Sequence, residues 1–235
     1  MKRRVFIKSA AALPALAVLK TSSRGRGREL AAIDLPRPQT DGGKSVLAAL
    51  WERRTVRNVS PEPLPPQVLS NLLWAAFGVN RKEAGLMGKP GRTAASASNS
   101  QEIDLYVALP QGVYLYEALP HRLVPVVAGD LRARAGRRGA ASAPVNIFFV
   151  VDTTRYVTGA GQPDRSIGDP EVQKSYYYVA TGLIAQNIYL FAASQGLAAW
   201  FHNCDRENAA KELKLKPEQK VLFAQTVGYP VARAS

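Results

Sequence analysis

The stretch from residue 171 to 195 constrains this chain more than any other. It reads as one long helix closed by Gly196-Leu197, and its centre, Gly182 to Leu190, is apolar on several sides. A helix of that kind has to lie inside the protein or at a subunit interface, so the other elements must be built around it. Tyr176, Tyr177 and Tyr178 sit on it in a row. At helical spacing they point in different directions, which suits core and interface packing better than a stacking platform or a radical relay.

Val145 to Val151 is a continuous apolar run and reads as a strand buried on both faces. Ile103 to Leu109 alternates as a strand, and Gly112 to Tyr116 is its neighbour across a Pro110-Gln111-Gly112 turn. Leu197–Phe201 and Val221–Tyr229 are further strands. Lys44–Arg54 forms a short helix with Val46, Leu47 and Leu50 on one face. Pro66 opens a second helix, Gln67–Phe77, in which Val68, Leu72, Leu73, Ala76 and Phe77 recur at three-to-four spacing. Asn208–Leu213 is a third short helix. Helices and strands mix without a regular βαβ beat, so the expected class is α+β, not a doubly wound sheet. Two long polar loops, 78–101 and 153–170, interrupt the pattern, and loops of that length inside a compact domain are commonly functional.

The formal net charge is +13, but eight of the basic residues and none of the acids fall within residues 1–28. The rest of the chain is only mildly basic and has no basic stripe interleaved with aromatics, so nucleic acid is not an expected partner. Cys204 is the only cysteine, and His121 and His202 lie far apart in the chain, so no metal site is expected. No Gly-x-Gly-x-x-Gly follows a strand and no phosphate-loop pattern is present, which removes support for a Rossmann or kinase-type site. Residues 1–28 read as a leader. Lys2-Arg3-Arg4-Val5-Phe6-Ile7-Lys8 precedes a weakly apolar run too short to span a membrane. The paired arginines resemble a bacterial twin-arginine signal. That implies the twin-arginine export machinery as a partner and a periplasmic or exported destination. Residues 29–45 read as a linker or arm, and 46–235 as one domain.

Arg53-Arg54-Thr55-Val56-Arg57 packs three guanidinium groups and a hydroxyl into five residues. Arginine grips phosphate oxygens through paired, charge-assisted hydrogen bonds, so the segment suits a phosphate. Three more pieces follow in order: Arg92 to Gln101 leading into Leu105-Tyr106-Val107, Gly182 to Ala193 closing with Gln195-Gly196-Leu197, and Val227-Gly228-Tyr229-Pro230. Together, over residues 50–230, they resemble the nitroreductase family of flavin enzymes, and look most like its branch related to the dehydrogenases of thiazole/oxazole peptide maturation.

The resemblance implies a mixed, mostly antiparallel sheet flanked by helices, a homodimer built on the long helix, and FMN at the dimer interface. It implies that Arg53 and Thr55 take the phosphate, with Arg54 sharing that role or pointing to solvent, and that Arg57 reaches N1/O2 of the ring. It implies that Ser96, Asn99 and Gln101 hydrogen-bond the ring and ribityl chain, and that Arg233 adds a second phosphate cation. The basic segment and the polar loop are therefore expected to come together around one tricyclic group. The chemistry implied is ping-pong transfer through flavin to an organic acceptor of nitroaromatic or quinone type. Two other readings are a flavin-dependent dehydrogenase or oxidase of a ring-containing or peptide substrate, and a non-enzymatic flavin-binding redox module. The donor, NADH, NADPH or another, stays open. The chain departs from the family pattern at Ala95 and Glu102, where proline is usual. It departs again at Phe201-His202-Asn203-Cys204-Asp205, where the family places a glycine-rich stretch. His202 and Asn203 either line the second substrate's pocket there or are structural.

Overall fold

The apolar run at 145–151 is a strand near the middle of the sheet, flanked on both faces, as its lack of alternation requires. The computed structural model describes residues 30–83, 85–136, 139–156 and 164–231. The expected leader, the middle of loop 153–170 and Arg233 lie outside the described residues. In chain order the elements are β1 (Ile33–Asp34), α1 (Val46–Glu52), α2 (Pro66–Phe77), β2 (Val79–Arg81), β3 (Gly91–Arg92), β4 (Ile103–Leu109), β5 (Gly112–Glu117), β6 (Arg122–Ala128), α3 (Arg132–Ala135), α4 (Gly139–Ser142), β7 (Val145–Asp152), α5 (Pro170–Gln195), β8 (Ala198–His202), α6 (Arg206–Glu212) and β9 (Gln219–Gly228).

The main sheet has seven strands in the order β1-β6-β5-β4-β7-β9-β8. Each adjacent pair is antiparallel. The fold is α+β, with helices on both faces of the sheet. Alternation sorts the side chains. Ile103, Leu105 and Val107 of β4 and Ile147, Phe149 and Val151 of β7 face α2 and α5 in the larger core. Tyr106, Ala108, Phe148 and Val150 face α3 and α6 in the smaller one.

The long helix is fixed at both ends by its sequence. The Asp169 carboxylate accepts from the Glu171 N–H, Pro170 takes the first turn, and Gly196 closes the helix in the left-handed region at φ 69°. The Tyr177 and Tyr178 rings lie 4.8 Å apart between centres, and Tyr176 turns away to another partner. Tyr177 is buried, Tyr178 meets Phe223 edge-on, and Tyr176 donates to Asp164 at 2.5 Å. No helix among the described residues is long and apolar enough to cross a membrane, and no cluster of three metal-type ligands occurs among them.

Strand β6 carries Pro125, which suppresses the strand signal in its sequence. The proline is tolerated because β1 pairs only with 122–123, and a register shift in the β5–β6 ladder leaves Val126 bulged beside it. His121, in the β5–β6 turn, ties three elements together. Ser70 donates its hydroxyl to the Pro36 carbonyl at 2.5 Å, so His121 Nε2 must donate to Ser70 at 2.7 Å and Nδ1 must accept from Tyr116 at 2.9 Å. The neutral ring satisfies every partner, and burial holds the His121 pKa below its ordinary value. His121 is a structural histidine.

Candidate functional site

Arg53 ends α1, and the chain beyond it runs beside β8, the last strand of the sheet. The Val56 N–H donates to the Ala199 carbonyl at 3.0 Å, which pins the basic segment to that edge. Thr55 Oγ1 lies 3.1 Å from the Tyr189 hydroxyl of α5. That hydroxyl also accepts from the Phe201 N–H at 2.8 Å, and either hydroxyl can donate in the Thr55–Tyr189 pair. The Arg53 guanidinium sits 5.5 Å from the Tyr189 ring centre, and that of Arg57 lies 5.8 Å from the ring centre of Trp200 on β8. Arg54 is exposed. None of the three guanidinium groups has an ion-pair partner among the described residues. Three cations without ion-pair partners among the described residues and a hydroxyl, all on one short segment, are the donor set that suits an anion.

The polar loop is strained and tightly held. Ser98, Asn99 and Gln101 have φ of 48°, 53° and 54°, a region non-glycine residues seldom occupy. Gln101 Oε1 accepts from Arg92 Nε at 2.7 Å, its Nε2 donates to the Pro90 carbonyl at 2.7 Å and to Asn99 Oδ1 at 2.9 Å, and its N–H donates to Ser96 Oγ at 3.0 Å. Asn99 Nδ2 donates to the Leu86 and Lys89 carbonyls. Arg155 and Lys89 fasten the Gln101 and Ser100 carbonyls at 2.8 and 2.6 Å. In this structure the Gln101 and Asn99 amides, expected from the sequence to face a cofactor, are engaged inside the loop and shape it. Ser96 accepts from Gln101 but keeps its proton. It borders a cavity of about 600 Å³ with Arg81, Arg92, Thr93, Ala95 and Asn99. Arg92 is stacked 4.6 Å from the Phe77 ring centre, and burial pulls its pKa down.

The two segments do not meet within one chain. Asn187 of α5 donates to the Thr93 carbonyl at 3.2 Å, at the root of the polar loop, while Tyr189 holds Thr55 on the basic segment. Residues two apart on a helix point about 200° apart, so the segments flank α5 on opposite sides. No hydrogen bond or ion pair joins them among the described residues. Arg233 is outside the described residues. The chain just before it lies along the end of the basic segment, where the Val231 N–H donates to the Asn58 carbonyl at 3.0 Å.

His202 and Asn203 line a second cavity, of about 570 Å³, with Trp200, Cys204, Asp205 and Arg134. The Trp200 and His202 rings, two residues apart on one face of β8, are 4.3 Å apart between centres. Asn203 Oδ1 accepts from Arg206 at 3.0 Å. Burial pushes the Cys204 thiol up to about 11, so it is a thiol and not a thiolate at neutral pH. Burial also lowers the His202 pKa, against the opposing pull of the Asn203 carbonyl. Sequence reasoning missed Tyr189 and Trp200. A tyrosine within an apolar helix and a tryptophan within a strand both read as core until β8 and the basic segment are placed beside them.

A family model described as "Nitroreductase family" matches residues 50–229. A Methanocaldococcus jannaschii protein provisionally assigned as a nitroreductase is 29% identical over 187 residues, spanning 76% of this chain and 88% of that protein. The crystal structure of a Ralstonia eutropha protein with the same provisional assignment superposes with a TM-score of 0.75 at 33% identity, covering 89% of this chain and 93% of that one. A chain of the Escherichia coli microcin synthetase complex shares the fold, with a TM-score of 0.61 at 18% identity, covering 96% of this chain and 85% of that one.

Proposed function

The chain belongs to the nitroreductase family, and from that premise we propose that it is an FMN-dependent oxidoreductase acting by ping-pong transfer on an organic acceptor of nitroaromatic or quinone type. The observation that carries this reading is the set of guanidinium groups of Arg53, Arg54 and Arg57, without ion-pair partners among the described residues, beside the Thr55 hydroxyl. These residues fit the phosphate of FMN. Arg53 and Thr55 would hold it, with Arg54 at the solvent side. Arg57, over Trp200, would lie at the pyrimidine edge, where a fixed positive charge favours the reduced, anionic ring. Bound FMN would supply the two-electron chemistry. The protein contributes binding, orientation and charge.

The Ser96 loop fits the same group by its small side chains and its free hydroxyl proton. Because it lies across α5 from Arg53, the Ser96 loop that completes a given flavin seat would come from a second copy of the chain. Exposed apolar side chains support a homodimer. Leu47 and Trp51 on α1 are 79% and 90% exposed, and Val179 and Leu183 on α5 are 62% and 44% exposed. The basic and then weakly apolar residues 1–28 support export of the folded protein by the twin-arginine route.

The test is an absorbance scan of the purified protein, followed by titration of flavin-free protein with FMN and with riboflavin. FMN is expected to bind at least about 100-fold more tightly, because only it carries the phosphate that the arginines would grip. Anaerobic titration with NADH and NADPH then identifies the donor. Protein that stays colourless in excess FMN overturns the reading.

A further inference from the structure

His202 differs from His121 in one respect that matters chemically: no neutral form satisfies its partners. Asn146 Nδ2 donates to the Ala140 carbonyl at 2.7 Å, which leaves Asn146 Oδ1 as an acceptor. Thr226 must therefore donate to Oδ1 at 2.6 Å, so Thr226 Oγ1 accepts from His202 Nε2 at 2.8 Å. On the ring's other side, Nδ1 lies 2.9 Å from the Asn203 carbonyl oxygen, which can only accept. Both ring nitrogens are asked to donate. A neutral ring sets two lone pairs against each other at one end of the chain, whichever tautomer it takes. The charged ring satisfies all four links, but burial penalises its charge. Hydrogen bonding thus favours the charged ring while burial opposes it.

The surroundings leave no rival. Of the cavity's other lining groups, the Cys204 thiol holds its proton at neutral pH and the Asp205 carboxylate is kept ionised by its bond to Asn208. The charged groups about the ring are Arg134, paired with Glu212 and Asp205, then Arg206, bonded to Asn203, and Arg57, 5.8 Å from the Trp200 ring centre. Gly136 lies close against the ring, where a Cβ built on it would meet His202 Cε1 at 3.0 Å.

We infer that His202 is the proton donor of this cavity, delivering a proton from Nδ1 to an acceptor seated against Trp200. This rests on the redox reading above and names a residue for its second half. In the step, the Nδ1–H bond breaks and an O–H bond forms on the quinone or nitro oxygen as that oxygen takes up the electrons of the proposed reaction. The N–H electron pair stays on Nδ1. The ring becomes neutral with Nε2–H still on Thr226, and the lone pair now facing the Asn203 carbonyl favours recharging from solvent.

Two measurements test this. Imidazole nitrogen NMR of the full-length protein, with His202→Gln to assign the resonances, should show His202 carrying both ring protons at low pH. It should titrate below the ordinary value of about 6.5, and Thr226→Val should lower the midpoint further. A His202 that stays neutral down to about pH 4.5, or that does not respond to Thr226→Val, overturns the inference. The second measurement compares reoxidation of the reduced protein by benzoquinone, which takes electrons and protons, with reoxidation by ferricyanide, which takes electrons alone. In the native protein the quinone rate should fall as pH rises through the His202 midpoint. In His202→Gln the ratio of quinone to ferricyanide rates should fall about 100-fold. An equal fall in both rates, or none, overturns the inference. Failure of the native protein to take up flavin would overturn the redox reading instead, and the NMR result stands apart from it.

Discussion

Arg53→Ala is expected to yield a folded protein that purifies without flavin. The Arg53 guanidinium lies over Tyr189 with no ion pair to lose, so its removal leaves no buried charge behind. Stability should change by less than about 1 kcal/mol. Binding should change far more. Truncating one side of a hydrogen-bonded charge pair costs about 2–5 kcal/mol, which is a loss of about thirtyfold to a few thousandfold in FMN affinity. Arg54→Ala is the matched control: it removes the same charge from an exposed position and should lose no more than about tenfold. Flavin-to-protein ratio, FMN affinity and the thermal unfolding midpoint check all three statements. A full flavin complement in Arg53→Ala would remove the phosphate assignment.

Trp51→Asp is expected to separate the protomers and, with them, the flavin. Val46, Leu47, Leu50 and Trp51 form a continuous apolar stripe on a helix of only seven residues. Val179 and Leu183, one turn apart, add a second stripe on α5. Burying one such side chain contributes about 1.5–3 kcal/mol, and an aspartate in its place would carry an unpaired charge into the interface. Sedimentation velocity should show a monomer in place of a dimer, and the visible absorbance should vanish from the protein peak. A Trp51→Asp monomer that keeps its flavin would show that one chain suffices for the seat.

The sequence made some features plain for physical reasons. Asp169, Pro170 and Gly196 mark the ends of α5 because capping chemistry is local. The apolar run of β7 reads as doubly buried because both of its faces are covered. The basic segment is legible because its charges have few acidic neighbours along the chain, and none is paired with them in space among the described residues. Other features depend on contacts that no local pattern encodes. Pro125 hides β6, since its tolerance depends on how short β1 is. The hairpin of β2 and β3 is too short to alternate visibly. Gln101 looks like a ligand residue until Arg92, Pro90 and Asn99 are found to occupy its amide. The relay behind His202 joins residues 140, 146, 202 and 226, which only the pairing of β7, β9 and β8 brings together.

The most direct test of the shared seat is a mixed dimer. Arg53→Ala damages the basic segment, and Ser96→Trp fills the small-residue loop; each variant alone should form a colourless dimer. If a seat takes its arginines from one protomer and its loop from the other, the mixed dimer keeps one intact seat and should bind about half the flavin of the native dimer. If the mixed dimer stays colourless while the native dimer binds flavin, both parts of the seat belong to one chain and the account is contradicted.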